Sequence, residues 1–401
     1  MANLTPQAAE ELIHQHLACL PIESLPVAQC AGAVLRENVY AERDQPPFDR
    51  VAMDGIALAS SALVAARRRF RVQAMQAAGD PPLTLTSDEH CIEVMTGAML
   101  PVGSDQVVPV EQIQVTDGCA ELQRSIPANP WRNVHRRASD GAQGALLLAS
   151  GTLLHAPEIA VAASAGMARL RVSGQPAILV ISTGNELVEP GEPIAPHQIR
   201  RSNAYAVAAA LREHGFRRVA DDHLPDDAQV LHERLRVHLR THEVLILSGG
   251  VSMGRFDLVP QVLAELGVQC QLHGIAQRPG RPMWFGTNSE GCAVFALPGN
   301  PVSTLVCLAR YVIPALYGAM GETRESSERI ALAEPLAWNV ELTGFMPVAV
   351  SHDDWGRPWA SPRPTNGSGD FSALALTDGF IELPPGPANF KKGFVTRLYR
   401  W

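Results

Sequence analysis

The chain has 401 residues and carries 33 Lys+Arg against 41 Asp+Glu, a formal net charge of −8 at pH 7. That length predicts about two to four domains, and the acidic balance excludes a global basic field for nucleic acid or an anionic membrane, so any anionic ligand must be held locally. Seven scattered cysteines, none in a C-x-x-C pair, exclude a disulfide framework or zinc knuckle and predict a reducing compartment, the cytoplasm.

In chain order, Thr5 caps a first helix whose first turn holds Pro6 and whose face is Leu12, Ile13, His16, Leu17 and Leu20. It reads as a mature start without a signal peptide. Residues 46–130 form a β-rich insertion with strands near 70–75, 91–95, 106–109 and 120–122, punctuated by Pro81-Pro82, Pro101, Asp117-Gly118 and Pro127. Residues 1–45 and 131–173 then make one discontinuous N-terminal α+β domain. The longest apolar region, 144–166, is broken by Ser150, Gly151, His155, Pro157 and Glu158 and is no membrane span.

From 174 to 326 strands and helices alternate: strand 177–181, helix 203–215, a strand near Val219, helix 227–239, strand 244–247, strand 292–297 and helix 302–317. Apolar runs without alternation predict parallel strands covered on both faces, and hence a doubly wound α/β domain. Residues 327–401, with short strands and many prolines, form a C-terminal β domain. The fold class is therefore α/β multidomain.

Three of these strands end in loops suited to an anion: Ser182-Thr183-Gly184-Asn185-Glu186, Ser248-Gly249-Gly250-Val251-Ser252-Met253-Gly254, and Pro298-Gly299-Asn300-Pro301. Ligands of such sheets sit beyond the carboxyl ends of the strands. The glycines let N–H groups approach an oxyanion, Ser248 and Ser252 add hydroxyls, and Asn300 with Pro301 opens a helix whose positive end faces the same cleft. The competing reading is that the glycines serve backbone geometry alone.

Glu186, Asp226, Asp227 and Asp257 stand beside these loops, and acids next to a phosphate nest repel it unless a divalent cation lies between. Mg²⁺, held by one or two carboxylates plus phosphate oxygens, accounts for that pairing; helix capping is the alternative for Asp226 and Asp227. Arg278-Pro279-Gly280-Arg281-Pro282 sets two guanidinium groups about a rigid turn, able to hold phosphate or a tetrahedral oxyanion or simply to pair at the surface. His238 and His242, four apart among arginines, read as a solvated helix end. His135-Arg136-Arg137 reads either as a nucleotide contact or as a solvated face, and Arg67, Arg68, Arg69 and Arg71 as surface charge.

Taken in order, Pro47-Phe48-Asp49-Arg50-Val51-Ala52-Met53-Asp54-Gly55, Met95-Thr96-Gly97-Ala98, residues 133–140, Ser182 to Leu187, Ser248 to Gly254, Pro279-Gly280-Arg281-Pro282, Leu297 to Pro301 and Gly367-Ser368-Gly369 resemble the molybdopterin molybdenumtransferases, the MoeA and gephyrin E-domain family. The resemblance runs from about residue 44 to 373. It implies a four-domain subunit and a homodimer formed through the N-terminal domain, with the active site between the α/β domain of one subunit and the N-terminal half of the other. The implied reaction inserts molybdenum from molybdate into adenylylated molybdopterin and releases AMP with Mg²⁺ assistance.

By the same resemblance, Ser248, Gly249, Gly250, Val251, Ser252 and Gly254, with Pro298, Gly299, Asn300 and Pro301, hold the pterin and its phosphate. Ser182, Thr183, Gly184, Ser202, Asn203, Pro279 and Gly280 line the same site. The reacting region comprises Asp54, Thr96, Asp140, Glu186, Asp226 or Asp227, and Asp257, with Asp54, Glu186 and Asp257 as Mg²⁺ ligands and Arg278 and Arg281 receiving molybdate or pyrophosphate. The molybdopterin adenylyltransferase and apo-molybdoenzymes are the implied partners. Arg278 and Arg281 stand where many members carry lysine, Asn185 and Arg201 where aspartate is found, and Arg255 where glutamate is found. These changes keep or add positive character, and arginine preserves an anion clamp while removing lysine proton transfer. The alternatives are an inert ligand-binding scaffold of the same fold and a molybdopterin adenylyltransferase, whose single domain the long N-terminal half and β tail disfavour.

Overall fold

A computed structural model describes residues 4–250, 258–323, 328–386 and 388–401. The chain divides into two compact units, one of residues 1–37, 150–156 and 169–401, the other of 38–149 and 157–168.

In the first unit, Thr5 Oγ1 accepts from the Ala8 N–H at 3.2 Å and Pro6 takes the first position of helix α1 (Pro6–His16). Pro6, Ala9 and Ile13 are its buried residues; Leu17 and Leu20 pack beyond its end, and His16 turns to solvent. The α/β core follows as β1 (Ile178–Thr183), α2 (Asn203–Glu213), β2 (Val219–Leu224), α3 (Ala228–Thr241), β3 (Val244–Ser248), α4 (Leu258–Glu265), β4 (Gln269–His273), β5 (Trp284–Thr287), β6 (Ala293–Leu297) and α5 (Pro301–Ala319).

Its six-stranded sheet runs β2-β1-β3-β6-β5-β4. The first four strands are parallel, whereas β5 pairs antiparallel with β6 and β4 antiparallel with β5, so that only β5 runs against the rest, in an edge addition that the apolar pattern did not reveal. Every residue of β1, β3 and β6 is buried. Successive residues of β1 feed opposite layers, Ile178 and Val180 with α1, α2 and α5, Leu179 and Ile181 with α3 and α4, which is why these strands read as unbroken apolar runs.

Helix α5 is long and apolar enough to cross a membrane, but 72% of it is buried inside the fold, so it is a core helix. It opens into one π turn over Leu308–Val312. The segment after it closes a ring of pairings, Thr343–His352 with Pro358–Pro362, then Arg329–Leu332, Val395–Arg400, Gly379–Leu383 and back to Thr343–His352. Such closure leaves no free sheet edge within the ring. Gln277–Arg278 adds to Thr343–His352 in parallel, tying the Arg-Pro-Gly-Arg turn to that barrel.

The second unit is built on a sheet in the order Gln106–Pro109, Gly55–Leu58, His90–Val94, Arg69–Gln76, Cys119–Leu122, Ile113–Thr116. Ile56 and Leu58 enter one apolar cluster and Ala57 the other, so both faces are covered.

Phe285 and Phe295 are wholly buried with ring centroids 4.8 Å apart, joining β5 to β6 at the centre of the first unit. Phe295→Ala is expected to destabilise the protein by about 3–5 kcal/mol, read as a lowered midpoint of the first unit's unfolding transition.

Candidate functional site

Strands β1, β3 and β6 are adjacent and parallel, so their carboxyl ends deliver Thr183, Ser248 and Leu297 to one edge of the sheet. The loops there are in contact. The Gly249 N–H donates to the Leu297 carbonyl at 3.2 Å, and a Cβ on Gly299 would stand 3.5 Å from Gly249 Cα. Gly249 itself has φ +103°, and a Cβ on it would meet the Thr183 carbonyl oxygen at 2.8 Å and its Oγ1 at 2.9 Å. Only glycine allows both that angle and that approach.

Around this junction lies a cavity of about 400 Å³ whose wall includes Ser182, Thr183, Glu186, Ser202, Asn203, Ser248, Gly249, Gly299, Asn300 and Pro301. The volume suits a small organic ligand. Asn203, first residue of α2, locks two loops together by donating from Nδ2 to Ser248 Oγ at 2.9 Å and to the Gly299 carbonyl at 2.8 Å. Thr304 Oγ1 donates to the Pro298 carbonyl at 2.6 Å. Thr183 Oγ1 is buried and has no hydrogen-bond partner among the described residues. A buried hydroxyl left so is costly unless a ligand or water completes it.

Pro301 starts α5 as expected, and Asn300 occupies the cap position but makes no side-chain cap. Its Nδ2 instead donates to Ser368 Oγ at 2.8 Å, while the Val302 N–H donates to the Ser368 carbonyl at 3.1 Å. The Gly367-Ser368-Gly369 turn therefore covers part of the helix end that the sequence left open to the cleft. Beyond it lies a second cavity of about 620 Å³ bounded by Arg278, Pro279, Gly280 and Arg281, and Asn300 lines both cavities. Arg278 and Arg281 are exposed at its rim. The chain's two lysines, Lys391 and Lys392, stand in the barrel and in neither cavity lining, so the cationic side chains here are arginines.

Three expectations change. Asp227 Oδ1 accepts from the Val230 N–H at 2.9 Å and caps α3, the Asp226 N–H donates to Asn185 Oδ1 at 3.2 Å, and neither residue lines either of these two cavities. Arg201 does not add free positive charge: it is 5% exposed and its fork is spent on Glu189, Asp221 at 2.6 Å and the Asp222 carbonyl at 2.9 Å, with Nε on Ser182 Oγ at 3.1 Å. The Arg201 hydrogen bond, seconded by that of Tyr205, holds the Glu189 carboxyl below its ordinary range. His238 is not solvated either, since its Nε2 meets Asp222 Oδ2 at 2.8 Å, where Arg234 also binds at 2.6 Å. The acids that engage Arg201 were missed because Glu189 follows a short parallel ladder, Leu187–Val188 with Ile199–Arg200, that no local pattern announces, and Asp221 is delivered by β2.

Glu186 is exposed on the first cavity's rim, its carboxylate folded over Gly184. Among the described residues no group of three or more His, Cys, Asp or Glu is arranged to hold a metal ion. Val251, Ser252, Gly254, Arg255 and Asp257 lie outside the described residues. In the second unit, Asp54 Oδ1 accepts from the Thr96 N–H at 2.6 Å and from its hydroxyl at 2.8 Å. Those bonds, the backbone one first, hold the Asp54 carboxyl below its ordinary range, so it stays ionised into more acid solution. Asp140 Oδ1 meets His135 Nε2 at 2.7 Å, and His135 Nδ1 lies 2.9 Å from the Arg50 guanidinium. Arg136 covers the Trp131 ring and Arg137 binds Asp44 at 2.6 Å, while Arg67 pairs with Glu89 at 3.1 Å.

Two outcomes are expected. Gly249→Ala should cost about 1–3 kcal/mol in backbone strain and weaken binding of inorganic pyrophosphate, as denaturation and calorimetry would record. Thr96→Val should raise the Asp54 pKa only part of the way to its ordinary value, because the backbone donor remains, as a carboxyl ¹³C titration would show.

Comparison with known proteins covers the same span as these elements. Residues 4–166 match the family described as MoeA N-terminal region (domain I and II), 179–318 the probable molybdopterin binding domain, and 329–397 the MoeA C-terminal region (domain IV). A molybdopterin molybdenumtransferase of Synechocystis sp. is 39% identical, covering 98% of this chain and 99% of its own length. One from Synechococcus elongatus is 33% identical, covering 96% of each. A solved molybdopterin biosynthesis MoeA protein from Pyrococcus horikosii superposes with TM-score 0.79 at 29% identity, covering 99% of both chains. Similarity of that extent, reaching all three regions, means that this chain belongs to the molybdopterin molybdenumtransferase family, enzymes of molybdenum cofactor biosynthesis.

Proposed function

We propose that this chain inserts molybdenum from molybdate into adenylylated molybdopterin and releases AMP, acting with Mg²⁺ as a cytoplasmic homodimer of four-domain subunits. The observation that carries the reading is the shared wall at Asn300, which joins a cavity lined by close-approach backbone and hydroxyls to one flanked by Arg278 and Arg281. A phosphorylated pterin suits the first and a tetrahedral oxyanion the second. The dimer would bring Asp54, Thr96 and Asp140 of one subunit to the α/β loops of the other.

In this reaction an oxygen of molybdate attacks the adenylyl phosphorus as the P–O–P bond breaks, so AMP leaves carrying that oxygen and the pterin phosphate keeps the bridging one; molybdenum joins the two dithiolene sulfurs, and a second molybdate oxygen leaves as water with the protons released from the sulfurs. No protein nucleophile is required. The loops after β1, β3 and β6 hold the pterin phosphate in place, and the buried Thr183 hydroxyl has a polar bond to offer it. Arg278 and Arg281 stabilise negative charge on the oxyanion without giving up a proton. Glu186, exposed at the cavity mouth, fits the one-carboxylate pattern of a Mg²⁺ bound chiefly through phosphate oxygens, and such an ion would supply charge neutralisation there.

Purified protein given adenylylated molybdopterin, Mg²⁺ and molybdate should release AMP only when molybdate is present and should activate an apo-molybdoenzyme. Arg278→Ala/Arg281→Ala should slow AMP release by roughly 10²-fold. Binding without AMP release would favour the scaffold, and ATP consumption with free molybdopterin the adenylyltransferase. Light scattering should return twice the chain mass.

A further inference from the structure

Beneath the Arg278-Pro279-Gly280-Arg281 turn lies a small buried polar cluster that the proposed reaction does not use. Gln277 is fully buried, and its Nε2 donates to the Pro279 carbonyl at 3.0 Å. Its Oε1 accepts from the Tyr311 hydroxyl, itself on a residue only 1% exposed. Cys307 Sγ approaches the Gly280 carbonyl at 3.6 Å. Gly280 has φ +89°, and a Cβ there would stand 2.6 Å from both Cys307 Sγ and Gln277 Nε2, so the turn is seated directly on these side chains.

Tyr311 reaches Gln277 from the π turn of α5, an uncommon feature of helices that recurs at functional sites. The neighbouring Arg310, 2% exposed, binds Glu10 of α1 at 2.9 Å and lies 5.1 Å from the ring centroids of both Tyr311 and Tyr399. That holds the π turn between α1 and the barrel. Burial, only partly opposed by the Arg310 charge, raises the Tyr311 pKa well above its ordinary value, so the phenol remains a donor. On its other side, Gln277–Arg278 is hydrogen-bonded to the barrel strand at Thr343 and Gly344. The backbone between the two arginines is thus held from below by side chains of α5 and from the side by the barrel, while both guanidinium groups remain at the surface.

We propose that Tyr311 and Gln277 are positioning residues for the reaction, holding the Pro279 carbonyl so that Arg278 and Arg281 present their guanidinium groups at the separation a tetrahedral oxyanion needs. The proposal rests on the reading of that cavity as the molybdate site. Two exposed arginines on a mobile turn would lose side-chain and backbone entropy on binding; on a clamped turn that cost is already met.

The test uses the full-length protein and molybdate itself. Tyr311→Phe should raise the molybdate concentration giving half-maximal AMP release, and the calorimetric Kd for molybdate, roughly three- to tenfold, with turnover at saturating molybdate nearly unchanged. Gln277→Leu/Tyr311→Phe removes the Tyr311–Gln277 pair but leaves the Pro279 carbonyl without its donor, so the thermal midpoint should recover only in part toward the parent while the molybdate dependence stays weakened. Recovery of both together would mean that the cluster is merely structural, and the proposal would fail. Arg278→Ala/Arg281→Ala separates the two layers. If it leaves molybdate binding intact, the assignment of the cavity falls and the positioning role with it; if it weakens binding while Tyr311→Phe does not, the positioning role alone falls.

Discussion

The missing Cβ of Gly249 is the constraint on which the site depends. Three parallel strands end side by side, and their loops meet only because the Gly249 backbone can lie against the Thr183 carbonyl at a left-handed angle. Once that approach is made, the rest follows from unsatisfied polar groups. Asn203 bridges the second and third loops, Thr304 closes the third on its own helix, and Ser368 takes up the Val302 N–H. At this junction the Thr183 hydroxyl, in the cavity wall, stays without a partner among the described residues.

Positive charge is divided between two environments that do different things. Arg201 is buried and surrounded by acids, so it organises the excursion between β1 and α2 and contributes little net field to the cavity. Arg278 and Arg281 are exposed, and the backbone between them is held by Gln277 and by the barrel strand. An Arg-to-Lys exchange would therefore be unequal at these positions: at Arg201 it would strand carboxylates that need a fork, and at the turn it would replace two planar donors by point charges.

Much of the fold was legible because the local signals were strong. Thr5-Pro6 marked α1, unbroken apolar runs marked β1, β3 and β6, and the Asn300-Pro301 pair marked the start of α5. Strands β4 and β5 were not legible, since Gln269–His273 is a mostly polar edge strand and Trp284–Thr287 contains a glycine, leaving neither a clear period. The site was legible as loops and not as contacts. Asp226 and Asp227 looked alike in sequence, yet only one can sit at the cap of α3, and His238 looked solvated until β2 carried Asp222 to it.

The sequence by itself determined the α/β class, the three anion-suited loops and the family, because each rests on short-range patterning or on ordered motifs. Only tertiary structure decided which charges are buried among partners and which are exposed, that Ser368 closes over α5, and that Gln277 and Tyr311 grip the turn between the arginines. Those pairings, Arg201 with Asp221, Gln277 with Tyr311 and Val302 with Ser368, join residues on different elements, and whether a polar group is satisfied depends on which partner the folded chain brings within about 3 Å, a quantity no local window contains.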